Sequence, residues 1–323
     1  MESAGFVQAA FDQLGLQLFE RGWLSSNNVL FRPSRSSPPT IVDTGYGAHE
    51  AQTLSLVEQA LGGAALERIV NTHLHSDHVG GNSALQRRWG SQTLVPEASF
   101  SFAERWDEAK LSFGETGQRC TRFRSDNPLA VGELLQLAEY RWRIEAAPGH
   151  DPDAVLLFQA DSGVMLSGDA LWEHRLAIVF PALDDDRAFD EALTALDLIE
   201  RLAPRVVVPG HGRAFVDVSG AVQRSRQRVH QFIRQPERHL DYAERALLMF
   251  HMLEHRRRQH SELLGWLCST PVFARIVARR GLKSGELASN AERVIDSLVA
   301  GGQLRRQEGW VSLPSAPLTG ITA

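Results

Sequence analysis

Four side chains that can bind a metal ion lie within six residues of one another in the segment THLHSDHVGG, residues 72–81. These side chains belong to His73, His75, Asp77 and His78. The apolar run before them, residues 66–71, predicts a buried strand, so the four side chains follow a strand end. His73 and His75 alternate in an extended segment and can face one way, whereas Asp77 and His78 can face a second position. Imidazole and carboxylate ligands suit zinc, iron or manganese.

Three further segments each place a candidate ligand directly after a predicted strand. They are Ala-Pro-Gly-His ending at His150, Leu-Ser-Gly-Asp ending at Asp169, and Val-Pro-Gly-His-Gly containing His211. A glycine precedes each of these residues, which lets the backbone approach a crowded site closely. A lone histidine is usually an ordinary polar residue. Four such segments in one chain instead predict a metal site.

The series HxHxDH, PGH, GD and PGHG resembles the metallo-β-lactamase superfamily over roughly residues 25–215. The resemblance implies a first metal held by His73, His75 and His150, a second held by Asp77, His78 and His211, and a bridging ligand, Asp169. The segment Ile-Val-Asp-Thr-Gly at residues 41–45 is similar to an early strand and turn of that family. There Asp43 would orient the ligating histidines from outside the ligand set.

The same resemblance implies an α/β fold, the αββα sandwich, in which two mixed sheets pack face to face with helices outside. True β-lactamases of the family lack the bridging aspartate. Asp169 therefore places the chain with the glyoxalase II, lactonase and RNA-processing branches, and a β-lactam substrate is not expected.

The ligand set predicts hydrolysis that needs no serine or cysteine nucleophile. Two metal ions about 3.5–4 Å apart can share a water and lower its pKa to about 7. The resulting metal-bound hydroxide would attack a small ester, thioester or lactone, and Asp77 is the candidate catalytic residue that accepts or relays the proton. We expect two divalent ions, with zinc as the default and iron or manganese as alternatives.

The elements needed to position these residues follow from the hydrophobic pattern. Residues 28–31 and 40–43 predict a hairpin, residues 48–61 a helix ended by Gly62-Gly63, and alternating strands and helices continue to residues 205–208. Strand signals almost vanish after about residue 218. We therefore expect a catalytic domain at residues 1–218 and a smaller, mostly helical domain at residues 219–323.

The second domain has a winged-helix pattern: a helix at residues 291–300, then short strands at 304–306 and 310–313. In element order it resembles the appendage of a lactamase-like group that includes lactamase-like protein 2, a single-strand endoribonuclease. Residues 221–310 hold sixteen Lys and Arg against nine Asp and Glu, a net +7 in a chain of −5. This excess is either a solvated arginine-rich surface, which we favour, or a site for an anionic partner such as a nucleic acid.

Two aromatic segments are candidates for substrate selection. Residues 100–113, with Phe102, Trp106 and Phe113, either cover the site or pack as an ordinary helix. Trp172, His174 and Phe180 follow Asp169 closely and are candidates to line an apolar pocket, although a surface position is the better expectation for His174.

Composition limits the cellular setting. The chain has no run of eighteen apolar residues and no basic start followed by an apolar stretch, so we expect neither a membrane span nor a signal peptide. Its two cysteines form no disulfide framework, which favours a location in the reducing cytoplasm. Oligomeric state stays open. Besides hydrolysis of a small molecule, three functions remain open: a metal-dependent endoribonuclease, an iron-dependent sulfur dioxygenase and a metal-binding regulatory module.

Overall fold

The computed structural model describes residues 2–314. The N-terminal part of the chain forms a six-stranded mixed sheet. Its strands, in spatial as well as chain order, are β1 (Leu16–Phe19), β2 (Asn28–Phe31), β3 (Thr40–Val42), β4 (Arg68–Val70), β5 (Gln92–Pro96) and β6 (Asn127–Leu129). β1, β2 and β3 are antiparallel, whereas β3 to β6 run parallel. The predicted hairpin of β2 and β3 is confirmed, with Val29 opposite Val42.

A second, five-stranded sheet follows. Its strands are β7 (Leu134–Leu137), β8 (Tyr140–Ala146), β9 (Val155–Gln159), β10 (Val164–Gly168) and β11 (Val206–Pro209). Their spatial order is β11-β10-β9-β8-β7. All neighbours are antiparallel except β10 and β11, which run parallel because a helix connects them. The carboxyl ends of β10 and β11 therefore meet at one edge of the sheet.

Eleven α-helices are formed among residues 2–314. They are α1 (Glu2–Leu14), α2 (Glu50–Leu61), α3 (Ser76–Val79), α4 (Asn82–Trp89), α5 (Glu97–Arg105), α6 (Ala188–Leu202), α7 (Val218–Arg234), α8 (Pro236–His255), α9 (His260–Ser269), α10 (Pro271–Arg279) and α11 (Leu287–Ala300). Three short 3-10 turns accompany them: Gly47–His49, Phe180–Leu183 and Ser284–Glu286. Gly62 ends α2 in the left-handed conformation, as expected for glycine past a helix C-terminus.

The two sheets pack face to face around one apolar core. Phe31 of the first sheet meets Trp142 of the second edge to face, with ring centroids 5.3 Å apart. Helices α2 and α4 cover the outer face of the first sheet through Val57 and Leu85. Helices α6 and α7 cover the outer face of the second sheet. The predicted αββα sandwich is confirmed.

The C-terminal helices α8 to α11 share a separate apolar core with a small sheet. Its strands are β12 (Arg257–Gln259), β13 (Arg305–Gln307) and β14 (Trp310–Ser312), in the order β12-β14-β13. The predicted helix and two strands near residues 291–313 are present, and the winged-helix assignment itself stays a prediction. The predicted boundary after residue 218 falls at the first residue of α7, which packs on α6 through Ala221 and Val222. The division into two domains there also stays a prediction.

The sequence did not predict several elements, among them α1, β1 and β6. β6 contains only Asn127, Pro128 and Leu129, a combination that strand propensity disfavours. It forms because β5 presents an open parallel edge to which it pairs. Among residues 2–314 no helix is both long and apolar enough to cross a bilayer.

Candidate metal centre

All seven predicted ligands come together at one end of the sandwich. His73 and His75 follow β4, and α3 carries Asp77 and His78. The other three follow strands of the second sheet: His150 after β8, Asp169 after β10 and His211 after β11. The loops that carry these residues thus meet at the same edge of the sandwich. A hydrogen bond from the Val155 backbone N–H to the Thr72 carbonyl oxygen, at 2.9 Å, helps to hold the two sheets together there.

The ligand atoms form three overlapping groups, each with its atoms within 4.8 Å of one another. These groups are His73 with His75 and His150, His73 with His78 and Asp169, and Asp77 with His78 and His211. His75 Nδ1 lies 2.7 Å from His150 Nε2, and Asp77 Oδ2 lies 3.0 Å from His211 Nε2.

Asp169 lies between the two sides of this cluster. Its carboxylate oxygens are 3.5 Å from His78 Nε2, 3.3 Å from His150 Nε2 and 4.0 Å from His211 Nε2. The Trp172 indole N–H also donates to Asp169 Oδ1 at 3.1 Å. One carboxylate therefore reaches imidazoles on both sides, which is the position of a shared ligand.

Partners outside the cluster fix the orientation of two histidine rings. His78 Nδ1 is 2.8 Å from Asp43 Oδ2, and His150 Nδ1 is 2.6 Å from the Ile178 carbonyl oxygen. The Nε2 atoms of both rings consequently point at the cluster. The carboxylate of Asp43 also accepts hydrogen bonds from Thr72 N at 2.9 Å and Thr72 Oγ1 at 2.8 Å. These contacts are the ones that the supporting role of Asp43 requires, and the role itself stays a prediction.

Asp43 adopts a backbone conformation that is rare for aspartate. Its φ is +55°, in the left-handed region, and it is buried between two strand ends. Such a conformation persists only where the surroundings over-determine it, and it concentrates at functional sites. Here the bonds to Thr72 and His78 supply that constraint.

Several buried histidine ring nitrogens have no hydrogen-bond partner within the described chain. Three of them belong to the predicted ligands, namely His73 Nε2, His78 Nε2 and His211 Nδ1, and two lie elsewhere, in His239 and His251. A buried polar atom without a partner costs free energy, so native proteins rarely keep one without a reason. His73, His78 and His211 are all members of the close groups described above. The donor set of five imidazoles and two carboxylates fits a divalent cation, which would satisfy such atoms.

The backbone at position 210 passes so close to the cluster that only glycine fits there. A Cβ atom at this position would lie 2.1 Å from Asp169 Oδ1 and 2.9 Å from His78 Cε1. The prediction that glycine allows close approach is confirmed here. Gly168 has φ +50°, and a Cβ there would meet Thr72 Oγ1 at 2.9 Å.

The protonation of the cluster without a cation is set by burial and by mutual charge. Burial lowers the pKa of His75 and of His150 to about 4. Burial also acts to lower the pKa of His78, but the carboxylates of Asp43 and Asp169 outweigh it and raise that pKa well above its ordinary value. Neutral imidazole is the form that binds a metal, and His75 and His150 are already in it at neutral pH.

A cavity of about 1070 Å³, including its open mouth, has the cluster at one end. Trp172 and Phe180 line it, as predicted, whereas the His174 side chain is 72% exposed and lies on the surface. The opposite wall comes from the C-terminal region. It consists largely of apolar side chains: Leu247, Met249, Phe250, Leu253 and Leu298.

The aromatic residues of the 100–113 segment do not line this cavity. Phe102, Trp106 and Phe113 pack with Leu74 and Val79 in a cluster of their own beneath the ligand loop. Of the two functions considered for the segment, ordinary packing is the correct one.

Other cavity residues carried no signal in the sequence. Trp23 stacks on the His211 ring at 5.6 Å with the planes 6° apart, and Tyr242 and Arg245 reach the cavity from α8. Trp23 stands alone in a turn, and the α8 residues lie far along the chain from the ligands, so only the tertiary structure brings them to the site.

Comparisons with known proteins agree with this geometry. The family model for the metallo-beta-lactamase superfamily matches residues 21–211. The beta-lactamase-like protein 2 homolog of Drosophila melanogaster is 26% identical over 62% of this chain and 66% of its own length. A hydroxyacylglutathione hydrolase of Anaeromyxobacter dehalogenans is 28% identical over 48% of this chain and 50% of its own. The chain thus spans about half to two thirds of the length of these relatives.

A solved metallo-beta-lactamase family protein from Thermus thermophilus shares the fold over 93% of this chain and 99% of its own, with a TM-score of 0.56 and 22% identity. That likeness includes the C-terminal region. The family model covers more than half of the chain and ends at His211, the last residue of the cluster. The chain therefore belongs to the metallo-beta-lactamase superfamily, as its motifs predicted.

Proposed function

We propose that this protein is a dinuclear metal-dependent hydrolase of a small ester, thioester or lactone. The observation that carries the proposal is the convergence of seven potential ligands at one end of a largely apolar cavity. A metal centre in such a position reaches a substrate that is otherwise held by apolar contacts.

The distances support a division of the ligands into two sets. His73, His75 and His150 would hold the first ion, Asp77, His78 and His211 the second, and Asp169 both. Zinc is the default ion for imidazole and carboxylate ligands, with iron or manganese as alternatives. When bound, a pair of such ions supplies an activated water near neutral pH and polarises the bond under attack.

The chain's own residues have separate tasks. Asp77 lies beside His211, and its second carboxylate oxygen is the candidate acceptor for the proton of the attacking water. Asp43 and the Ile178 carbonyl hold the rings of His78 and His150 in place. Trp23 and Trp172 pack around the ring of His211 and hold it in place.

The lining of the cavity favours a small substrate with an apolar body. Apolar side chains of α8 and α11 face the cluster across a space suited to a small molecule. The name of the Anaeromyxobacter relative specifies hydrolysis of an acylated glutathione, which is a thioester. That relative supports the thioester among the three substrate classes.

Charge pairing argues against a nucleic acid as the main partner. Eight of the sixteen cationic residues at positions 221–310 form ion pairs within the chain: Arg224, Arg226, Arg258, Arg275, Arg279, Arg280, Arg293 and Arg306. A guanidinium already paired with a carboxylate attracts phosphate less strongly. The excess of positive charge is therefore weaker support for an endoribonuclease than the count alone indicates.

One experiment separates the candidates. Purified protein is analysed for metals and then assayed on aryl esters, acyl thioesters, lactones and single-stranded RNA, with and without a chelator. We expect about two ions per chain, most of them zinc, and chelator-sensitive hydrolysis in the ester, thioester or lactone group. RNA cleavage that exceeds ester hydrolysis and disappears with the chelator would make the protein a nuclease. A single iron per chain, with no hydrolysis, would favour the sulfur dioxygenase.

A further inference from the structure

One face of α8 forms the cavity wall opposite the metal cluster. Its cavity residues recur three or four positions apart, the spacing of one helical face: Tyr242, Arg245, Ala246, Met249, Phe250 and Leu253. The first two are polar and the last three are large and apolar. The helix therefore presents a polar end and an apolar end to the same cavity.

Arg245 stands out at the polar end because its buried donor lacks a partner. The Nε atom of Arg245 is inaccessible to solvent and makes no hydrogen bond. The nearest acids on its own helix are already engaged elsewhere: Arg280 lies 2.6 Å from Asp241 Oδ1 and 2.9 Å from Glu244 Oε2. Arg293 contacts Glu244 as well. Within residues 2–314, then, none of the ion pairs involves Arg245.

The neighbouring polar groups of the cavity differ from Arg245 in this respect. The Tyr242 hydroxyl donates to the Leu176 carbonyl at 2.5 Å, and burial raises the pKa of that hydroxyl to about 12. The Arg175 guanidinium lies over the Trp23 ring, 4.9 Å from its centroid. Both groups are satisfied by the protein itself. Arg245 is half-buried at the cavity wall and keeps one buried donor without a partner, so an anion brought by the ligand would stabilise it.

We propose that Arg245 binds a carboxylate group of the substrate, so that this cavity takes an ester or thioester with a carboxylate at one end and an apolar body. The inference rests on the hydrolase function proposed above and names its substrate class. The guanidinium fork matches a carboxylate in two parallel hydrogen bonds. One guanidinium balances the single negative charge of a carboxylate, and a phosphate is the competing anion in the binding test below. Met249, Phe250 and Leu253 contact the apolar body.

A pair of matched substrates tests the proposal. Monophenyl glutarate carries a free carboxylate, and the ω-amide of the same ester is a neutral molecule of nearly equal shape. We expect the metal-loaded wild-type protein to prefer the acid over the amide in kcat/KM. Arg245→Gln should lower kcat/KM by about 10- to 100-fold for the acid, the usual loss for a charged hydrogen-bonded contact, and by less than about threefold for the amide. Arg245→Lys keeps the positive charge without the paired donors of a guanidinium. Its kcat/KM for the acid should therefore lie between the values of the wild-type protein and Arg245→Gln.

Arg238→Gln is the matched control, because Arg238 lies on the same helix but is exposed to solvent. It removes the same charge and should leave both substrates unchanged. If Arg238→Gln and Arg245→Gln lowered kcat/KM for the acid equally, the effect would come from long-range electrostatic attraction and not from a contact with Arg245. Equal losses on acid and amide in Arg245→Gln would show a packing role instead. Either result overturns the proposal.

Binding without turnover separates this inference from the hydrolase function. Glutaric acid monoanilide keeps the carboxylate but is resistant to hydrolysis, and calorimetry gives its Kd for the wild-type and variant proteins. We expect Kd to rise about tenfold or more in Arg245→Gln. If no ester is hydrolysed and the Kd still depends on Arg245, the hydrolase function fails and the carboxylate site stands. If esters are hydrolysed with no preference for the acid, or a phosphate analogue binds more tightly than the anilide, the carboxylate site fails.

Discussion

Replacing Asp43 by Asn tests how the protein prepares His78 for a metal ion. Asp43 accepts three hydrogen bonds: from Thr72 N at 2.9 Å, from Thr72 Oγ1 at 2.8 Å, and from His78 Nδ1 at 2.8 Å. In the metal-bound form, with the proton of His78 kept on Nδ1 by Asp43, its Nε2 atom has a lone pair for the cation. An asparagine can still accept from Thr72 N, but its NH₂ group donates where the second carboxylate oxygen accepted.

The His78 ring then has to change its tautomer. If Nδ1 accepts from the asparagine, the proton moves to Nε2, and that nitrogen can no longer bind a cation. Loss of an outer partner of this kind typically costs 10- to 100-fold in metal affinity. Since each tenfold change equals about 1.4 kcal/mol, we expect the second ion to bind about 1.4–2.8 kcal/mol more weakly. The first ion, whose three histidines do not touch Asp43, should change by less than about threefold.

Stepwise zinc titration against a chromophoric chelator measures the two affinities in one experiment. Asp126→Asn is a suitable control, because Asp126 Oδ2 likewise accepts a backbone N–H, from Thr93 at 2.8 Å, and lies outside the cluster. The control should bind both ions as the wild-type protein does. Wild-type affinity for both ions in Asp43→Asn would refute the reasoning, and loss of both would mean that the substitution disturbs the whole cluster.

Three further substitutions follow from the same geometry. Asp77→Asn should lower kcat by about 10²–10⁴-fold, the usual contribution of a general base, with an unchanged circular dichroism spectrum; near-normal kcat would exclude Asp77 from proton transfer. Gly210→Ala should weaken metal binding in a chelator titration, because the added Cβ would lie 2.1 Å from Asp169 Oδ1. His239→Leu should reduce the acid sensitivity of folding. Burial lowers the pKa of His239 to about 4, so between pH 6.5 and 4 the unfolded chain takes up a proton that the folded chain does not. Urea unfolding should show that the loss of stability from pH 7 to pH 5 is about 2 kcal/mol smaller in this variant, and unchanged in the exposed-site control His230→Leu.

The convergence of the seven candidate ligands could be predicted from the sequence, because these residues sit in short local patterns. Each ligand follows a strand end, and the strand order brings those ends to one edge of the sandwich. Asp43 could be assigned its supporting role for the same reason. The packing of Phe102, Trp106 and Phe113 was not decided by the sequence, since aromatic residues suit both a core and a cavity wall. Their contacts with Leu74 and Val79 place them beneath the ligand loop.

The substrate-facing wall could not be predicted in the same way. The sequence indicates an apolar stripe at Leu247, Leu248, Phe250 and Leu253 that must pack somewhere. Helical periodicity says nothing about which surface it meets. In the folded chain Leu247 and Leu248 are both buried in the C-terminal core. Leu247, Phe250 and Leu253 also line the cavity opposite the ligand cluster. This pairing depends on long-range packing between the C-terminal core and the sandwich.

The two halves of the site are joined by the loop that follows Asp169. The Ile178 carbonyl fixes the ring of His150, and Phe180 packs against that ring with centroids 5.5 Å apart. A few residues later, Leu183 is buried in the core of the C-terminal helices. The orientation of one ligand histidine is therefore tied to the packing of the region that forms the substrate-facing wall. Since the family model ends at His211, membership of the superfamily covers the candidate ligands but not the wall that α8 forms. On the proposal made above, that face of α8 selects the molecule that reaches the ligands.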